Sequence, residues 1–336
     1  MLTPLFPPFL TSLLLAALLT PLAGRLAVRL GRVSPPNPSV DGHTRATPYL
    51  GGLAIFCAVS PFLLSAKESA WILGTALMML VGLLDDLFPF SPARKLLAQA
   101  AAAIATVAFG LHFDVSGILL LDAALTVFWL IAIANAFNVT DMMDGLAPGI
   151  GGIAGVGFAV VLTGSGPVES ATLAAALAGG LFGFLIHNFH PARVFMGDTG
   201  SLFAGTLLGC LTVTLQRGGA GVAGFALLGL PLFEAAFLIA VRTRQGRPWY
   251  RASRDHTAQR LVQSGLSIRG AVLTLYAAAL LCDVVALSIL HRPLPIAYLT
   301  AGALVGAGLL AGGRLAKVNM GPGGGGQGNQ SLLPEP

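Results

Sequence analysis

Long apolar segments separated by polar connections make up most of this sequence of 336 residues. A helix that spans a bilayer needs roughly 17–25 predominantly apolar residues, and most of the segments approach or reach that length. Eleven candidate spans follow, at residues 8–30, 49–66, 69–84, 95–111, 117–134, 148–163, 170–187, 201–216, 220–241, 271–290 and 294–312. The pattern predicts an all-α, polytopic membrane protein with 10 or 11 transmembrane helices.

The composition supports this class. Hydrophobic residues make up 55% of the chain, charged residues only 10%, and the mean hydropathy is +0.81. A soluble domain carries about 25% charged residues, and a single soluble core of this size could not bury so much apolar surface. The cysteines, Cys57, Cys210 and Cys282, lie in apolar runs and are interpreted as small hydrophobic residues rather than as metal ligands or disulfide partners.

The basic residues indicate an orientation. If the N-terminus lies outside and eleven spans alternate, 16 of the 19 Lys and Arg residues fall in cytoplasmic segments; the exceptions are Lys67, Arg217 and Arg292. This asymmetry predicts a cytoplasmic C-terminus and a plasma-membrane location, and it explains the net charge of +5 without nucleic acid as a partner. We expect one membrane-embedded domain over residues 1–317 with five cytoplasmic loops, followed by a disordered tail over 318–336.

Two adjacent carboxylates, Asp85 and Asp86, end the third apolar segment. Carboxylates at the end of a membrane helix are costly unless they are neutralised or hydrated. The pair therefore predicts a divalent-cation site or proton transfer, with a solvated helix end as the alternative. Lys95 follows a turn marked by Pro89 and Pro92, and we expect it to face the same pocket.

A polar stripe follows the fifth apolar segment, where Asn135, Asn138, Asp141 and Asp144 recur at every third position. On a helical turn these side chains would share one face. A cap-and-turn interpretation explains only the last of them, which precedes a glycine. The stripe therefore predicts a functional site.

Asp198 lies between Gly197 and Thr199, directly before the eighth apolar segment. Glycine allows a backbone to approach a ligand, and the free amides of a helix N-terminus suit phosphate. An N-cap made by Asp198, Thr199 or Ser201 is compatible with this prediction.

The loop over residues 242–269 contains seven arginines. Orientation and contact with anionic headgroups explain Arg242, Arg244 and Arg269. They explain the tight group around His256 and Arg260 less well, and arginine forks grip phosphate oxygens.

Three further indications are weaker. His43 and Arg45 lie in the first cytoplasmic loop and are predicted to contact substrate. Glu234 and Asp283 lie inside apolar segments, where a carboxylate is a functional candidate. Glu234 could support the site from the cytoplasmic end of its span, and Asp283 has no assigned role.

Six carboxylates are thus predicted at one membrane face, namely Asp85, Asp86, Asp141, Asp144, Asp198 and Asp255. Like charges repel, so such a cluster requires cations. Mg²⁺ is the expected ion, with Mn²⁺ as the alternative, because hard oxygen ligands and substrate phosphates both suit it. A magnesium–phosphate site at a membrane surface fits phosphoryl transfer between a nucleotide and a lipid.

These motifs resemble those of the polyprenyl-phosphate N-acetylhexosamine-1-phosphate transferases, over roughly residues 20–312. The resemblance rests on the DD…K element, NxxNxxDxxDGL and FMGDTGS, in this order. It implies transfer of an N-acetylhexosamine-1-phosphate, most simply GlcNAc-1-phosphate, from a UDP-sugar to polyprenyl phosphate, with release of UMP, as the first membrane step of a cell-envelope polysaccharide. It is also consistent with a homodimer.

The resemblance implies a role for each matching position. Asp198 resembles the principal Mg²⁺ ligand, and Asp85 and Asp86 resemble the pair that acts on metal and lipid phosphate. The implied catalytic residues are Asp85, Asp86, Asp141, Asp144 and His256. The implied substrate-binding residues are Lys95, Asn138, Asn188, Phe195 and Arg260, with Phe195 stacking on uracil and Arg260 on the diphosphate.

Two departures from the family pattern bear on the local backbone shape and on the substrate, respectively. Met142 replaces a glycine of the stripe, and a single histidine, His256, stands where the family has two or three. The missing triple His argues against the phospho-MurNAc-pentapeptide transferase branch, which is the competing interpretation within the family. A two-step route through a covalent Asp-phosphosugar is compatible with the same residues. A secondary transporter and an inactive scaffold are the competing classes of protein.

Overall fold

A computed structural model describes residues 3–35, 46–66, 69–215, 218–248 and 255–320. The protein is mostly helical. The helices are α1 Phe6–Arg29, α2 Gly51–Ser65, α3 Ser69–Leu87, α4 Pro92–Ala108, α5 Leu119–Thr140, α6 Leu146–Ser165, α7 Val168–Asn188, α8 Gly197–Thr214, α9 Gly218–Leu227, α10 Gly229–Arg244, α11 Thr257–Gln263, α12 Ile268–Ile289 and α13 Leu294–Leu315. Two short strands, β1 Val33–Ser34 and β2 Thr47–Pro48, pair antiparallel. The predicted all-α class therefore holds, while residues 321–336 of the predicted tail lie outside the described residues.

Seven helices in the described ranges are long and apolar enough to cross a membrane: α1 together with its preceding 3-10 turn, α3, α5, α6, α7, α12 and α13. The pair α9 and α10 passes the same test together but is bent by 60°, which would make eight. The predicted spans at 49–66, 95–111 and 201–216 correspond to α2, α4 and α8. The first two are shorter, and α8 begins with polar residues. A multi-pass membrane protein is confirmed, and the count of 11 stays a prediction.

Local sequence explains several helix boundaries. Ser91 caps α4 by accepting a hydrogen bond of 3.4 Å from the Arg94 amide, and Pro92 occupies its first turn. Ser267 caps α12 in the same way through Gly270 N, at 3.0 Å. Pro231 lies in the first turn of α10. Proline cannot donate to a preceding turn, which is consistent with the break between α9 and α10 at Leu228.

The core lies around α6, α7 and α8. Helix α7 packs between α1 and α6, and α8 packs against both α3 and α5. Helices α6, α7 and α8 are largely buried, whereas α13 exposes most of its apolar side chains, including Leu309 and Leu310. Because α3, α5 and α8 are neighbours, the ends of these helices bring distant polar motifs together.

The polar stripe does not lie on one continuous helix. Helix α5 ends at Thr140, and residues 141–145 form a turn before α6. Asn135 points to α4, where its side-chain amide donates to Gln99 Oε1 at 2.7 Å. The one-face prediction is therefore wrong for the stripe as a whole, because Asn135 and Asn138 lie on the helix whereas Asp141 and Asp144 lie in the turn after Thr140.

Candidate active site

The N-terminus of α8 is capped by a side chain from another helix. Asp86, in the last turn of α3, accepts hydrogen bonds from Asp198 N at 3.0 Å, Thr199 N at 3.0 Å and Thr199 Oγ1 at 2.6 Å. The cap is thus Asp86 rather than one of the residues of the GDTGS segment itself. It satisfies free amides that a buried helix end would otherwise leave unpaired.

Two glycines make this close approach possible. Gly197 has a φ of 71°, and a Cβ there would lie 2.6 Å from Asp86 Oδ2. A Cβ on Gly82 of α3 would lie 2.3 Å from the carbonyl oxygen of Asp198. Any larger residue at either position would push α3 and α8 apart, so the spacing of the two acidic motifs depends on these glycines.

Four predicted residues from four helices converge next to this cap. Lys95 Nζ forms ion pairs with Asp85 Oδ2, at 3.1 Å, and with Asp198 Oδ2. On the other side of Asp198, Asn138 Nδ2 donates to Asp198 Oδ1 at 2.6 Å and to Ser201 Oγ at 2.8 Å. The second oxygen of Asp85 accepts from Phe90 N at 2.6 Å. Lys95 thus lies beside Asp85 in the pocket where the sequence predicts it, and its second partner is Asp198.

Negative charge is in excess here. Asp141 is half-buried at the end of α5, and burial raises its pKa to about 8. The charges of Asp198, Asp86 and Asp144 act in the same direction. Without a further cation Asp141 therefore holds a proton near neutral pH, and a bound cation could take the place of that proton as the balancing charge.

The donor set fits Mg²⁺ in chemistry. Within the described ranges, no three His, Cys, Asp or Glu side chains are already arranged to hold a metal ion. Mg²⁺, however, is commonly held by one or two carboxylates together with waters and substrate phosphates. Asp198 and Asp85 meet that requirement, and the Lys95 ammonium between them marks the point where a positive charge is favourable. Asp86 instead accepts from the two amides that begin α8, so a metal ligated by Asp86 would disturb the helix cap.

Asp144 and Asn188 fasten the segment that leads to α8. Asp144 Oδ2 accepts from Ala192 N at 3.0 Å and contacts His190 Nδ1 at 2.8 Å. Asn188 is buried; its Oδ1 accepts from Gly145 N, and its Nδ2 donates to Val194 O, both at 2.9 Å. These bonds tie residues 189–196 to the turn after α5.

Phe195, the predicted uracil-stacking residue, is held by backbone hydrogen bonds. Its amide donates to Pro48 O at 2.8 Å, and its carbonyl oxygen accepts from Gly51 N at 3.0 Å. The half-buried ring is therefore carried by a fixed backbone, two residues before Gly197.

The last loop forms a second polar group, centred on Glu234 of α10. Glu234 Oε1 contacts His256 Nδ1 at 3.0 Å and accepts from Thr257 N at 3.2 Å, while Oε2 accepts from Thr257 Oγ1. Glu234 therefore both caps α11 and orients the His256 ring. Arg269, where the loop leads into α12, donates to His190 O at 3.0 Å, which places that end of the loop beside the segment before α8.

Arg260 occupies a different position from the one predicted. It is only 1% exposed, so a diphosphate cannot reach it in this conformation. Its guanidinium donates to Asp255 O, Asp255 Oδ1 and the carbonyl oxygens of Leu315, Ala316 and Val318 at 3.0–3.2 Å. Arg260 thus joins the last loop to the end of α13, and Val318 belongs to this described structure rather than to a tail. His43 and Arg45 lie outside the described residues.

Several partners of the predicted residues are not evident from the sequence. Ser201 and Thr199 are predicted only as caps, and His190 is not predicted at all. Glu234 is marked by its charge within an apolar segment, and that signal identifies a real polar cluster. His190 carries a usable signal too, since it is one of only six histidines and follows Asn188 closely.

The fold and the site define a polytopic membrane protein with a carboxylate-rich centre at the ends of α3, α5 and α8. The model of the family described as glycosyl transferase family 4 matches residues 69–216, which carry these helices. A Bacillus subtilis protein named "Probable undecaprenyl-phosphate N-acetylglucosaminyl 1-phosphate transferase" is 35% identical over 290 residues, covering 80% of each chain. The chain belongs to this family of membrane transferases.

Two more relatives mark the breadth of the similarity. A decaprenyl-phosphate N-acetylglucosaminephosphotransferase of Mycolicibacterium smegmatis is 32% identical over 299 residues, covering 75% of this chain and 73% of the relative. A phospho-N-acetylmuramoyl-pentapeptide-transferase of Moorella thermoacetica is 48% identical over 104 residues, but these cover only 31% of this chain and 32% of the relative. The similarity that spans most of the chain is thus to proteins named for N-acetylglucosamine.

Proposed function

We propose that the protein transfers GlcNAc-1-phosphate from UDP-GlcNAc to a polyprenyl phosphate. An oxygen of the lipid phosphate forms a bond to the β-phosphorus of the donor. The bond between that phosphorus and the bridging oxygen breaks, and UMP leaves with the bridging oxygen. The product is a lipid-linked sugar diphosphate that stays in the membrane.

The observation that carries this proposal is the convergence of Asp85, Lys95, Asn138 and Asp198. These residues come from α3, α4, α5 and α8 and meet at the helix ends. Phosphoryl transfer depends mainly on positioning and on neutralising charge, and a rigid set of hard oxygen ligands beside an ammonium group provides both.

Mg²⁺ held by Asp198 and Asp85 would supply neutralisation of the donor diphosphate. Asn138 holds one oxygen of Asp198 in place, which fixes the direction of the second oxygen. Lys95 contributes a positive charge for the phosphate groups. Asp85 is also our candidate for orienting or deprotonating the lipid phosphate.

The nucleoside would lie against the segment that Asp144 and Asn188 hold in place. Phe195 is rigidly supported there and offers a half-buried aromatic ring for the uracil. His256, oriented by Glu234, is our candidate for a substrate contact from the last loop. Arg260 is not assigned a substrate contact, because its donors are bonded to protein.

The site is proposed to face the cytoplasm, where UDP-sugars are made. The excess of Lys and Arg in the predicted cytoplasmic segments supports this orientation. A homodimer remains part of the proposal on family resemblance alone.

A secondary transporter is less consistent with the geometry. Transporters place their polar groups near the bilayer midplane, between repeated halves. Here Asp86, Asn138 and Asp198 lie within the last or first turns of their helices. A site at helix ends suits a water-soluble donor that meets a lipid acceptor at the membrane surface.

The test is an assay of purified protein with undecaprenyl phosphate and a panel of UDP-sugars, with products identified by mass spectrometry. We expect a lipid-linked GlcNAc diphosphate and UMP from UDP-GlcNAc. The pentapeptide branch would instead consume UDP-MurNAc-pentapeptide. A transporter or scaffold would release no UMP from any donor, and that result would overturn the proposal.

A further inference from the structure

A groove of about 430 Å³ opens at the end of α1, apart from the carboxylate cluster. Its apolar lining includes Pro21, Val28, Pro48 and Val194. Its rim carries three exposed arginines, Arg25 and Arg29 from α1 and Arg193 from the segment before α8. We propose that this groove binds the phosphate headgroup of an anionic membrane phospholipid.

The first argument is charge. The residues that line the groove include three arginines and no carboxylate. Among the described residues, none of these three guanidinium groups has a hydrogen-bond or ion-pair partner. Arginine forks recognise phosphate oxygens in bidentate fashion, so an anionic phosphate ester is the complementary ligand.

The second argument is position. Leu18, Leu22 and Leu26 of α1 are between 44% and 70% exposed, which is expected of a helix face in contact with acyl chains. Arg25 and Arg29 are one turn apart where this apolar helix ends, at the level of lipid headgroups. An apolar lining directly beside charged groups suits a molecule with a phosphate and a hydrocarbon part, and it favours a phospholipid over a free nucleotide.

The third argument is that two separate parts of the chain build the groove, namely α1 and the segment before α8. Basic residues that only orient a protein in the membrane would not need such an arrangement. Arg25 and Arg29 alone would be explained by the preference for basic residues at the cytoplasmic end of a membrane helix. Arg193 comes from a different part of the chain, and Val194 Cγ2 would lie only 3.0 Å from a Cβ at Gly24. The absence of a side chain at Gly24 thus lets the Arg193 segment close against α1 and complete the groove.

The groove shares a wall with the proposed donor site. Val194 O accepts from Asn188 Nδ2, and Phe195 N donates to Pro48 O. A headgroup bound by Arg193 would therefore restrain the segment that carries Phe195 towards Asp198. We expect an anionic phospholipid to lower the KM for the UDP-sugar. This effect on KM rests on the proposed function, whereas the binding of the phospholipid to the groove does not depend on it.

The test compares the full-length protein with Arg25→Gln/Arg29→Gln/Arg193→Gln by native mass spectrometry in detergent with added phosphatidylglycerol or phosphatidylcholine. We expect wild type to retain phosphatidylglycerol preferentially and the variant to lose affinity about tenfold or more. The matched control is Arg244→Gln/Arg314→Gln/Lys317→Gln, which removes the same charge from exposed positions outside the groove. It should bind phosphatidylglycerol as wild type does.

Three outcomes would overturn the proposal. The groove variant, shown to be folded by size-exclusion chromatography and thermal unfolding, could bind phosphatidylglycerol with the same affinity as wild type. Wild type could bind the two phospholipids equally. When the same experiment is repeated with undecaprenyl phosphate, the groove variant could lose that lipid while keeping phosphatidylglycerol, which would assign the groove to the lipid substrate instead. If no transferase activity is found at all, the binding comparison still decides the groove.

Discussion

Asn138 Nδ2 donates a hydrogen bond of 2.6 Å to Asp198 Oδ1, across 60 residues of sequence and from α5 to α8. The same amide group donates to Ser201 Oγ. Because this bond occupies one carboxylate oxygen, it sets the direction in which the second oxygen faces Lys95. The precision of the proposed metal site therefore depends on a neutral side chain as well as on the carboxylates.

Asn138→Ala should weaken metal use while leaving the fold intact. Loss of a partner that orients a metal ligand typically costs 10–100-fold in metal affinity or activity, so we expect half-maximal UMP release to need about tenfold more Mg²⁺. Asn135→Ala is the matched control, since Asn135 bonds to Gln99 one turn earlier. An unchanged Mg²⁺ requirement in the Asn138 variant, or an equal shift in both, would argue against this role.

Lys95→Gln should reduce kcat by roughly 10²-fold or more, because it removes the positive charge between Asp85 and Asp198 and its interaction with the reacting phosphates. Lys95→Arg keeps the charge and should retain more activity. The measurement is steady-state UMP release at saturating UDP-GlcNAc. Wild-type kcat in a folded Lys95→Gln protein would remove Lys95 from the site.

Asp141 gives a pH-dependent prediction for the metal-free protein. Its pKa is raised from 3.8 to about 8 in the folded state, so the folded protein holds a proton that the unfolded chain has already lost. Stability should therefore fall as pH rises from about 4 to about 8. Asp141→Asn should show a smaller fall in Tm than wild type between pH 5.5 and 8 in EDTA. Parallel plots of Tm against pH for the two proteins would show that Asp141 does not cause the loss of stability at high pH.

Glu234→Gln should lower kcat roughly tenfold or more, because the neutral amide no longer presents a carboxylate to His256 Nδ1. Glu234→Asp should recover part of that loss. Thr257→Val removes the hydroxyl bond to Glu234 but not the His256 contact, so it should lower Tm with little change in kcat. If Thr257→Val and Glu234→Gln behave alike, the Glu234 cluster is structural only.

The sequence is sufficient to predict the acidic centre, because charged residues at the ends of apolar segments have few explanations. Asp85, Lys95, Asn138 and Asp198 are all predicted, and the structure brings them together. The helix-bundle class follows from the apolar pattern for the same reason. The number of spans does not follow from that pattern, since α2, α4 and α8 are too short or too polar for hydropathy to decide whether they cross the membrane.

The predictions are weaker where a side chain bonds to backbone groups that are far away in sequence. Asp86 caps amides 112 residues along the chain, and backbone amides carry no residue-type signal. Arg260 binds carbonyl groups of α13 and its C-terminal turn, and these contacts leave no trace in the sequence for the same reason. In the sequence, an arginine near a histidine indicates phosphate binding. In the structure, Arg260 is buried against the end of α13 and has a structural role.

The account depends most on Asp198. Asp198→Asn keeps the size of the side chain but removes its charge, so we expect Mg²⁺-dependent UMP release from UDP-GlcNAc and undecaprenyl phosphate to fall at least about 10²–10³-fold. The variant should remain folded, since Asp86 still caps α8 through the Asp198 and Thr199 amides. Substantial Mg²⁺-dependent activity in a well-folded Asp198→Asn protein would contradict a metal centre built on this carboxylate.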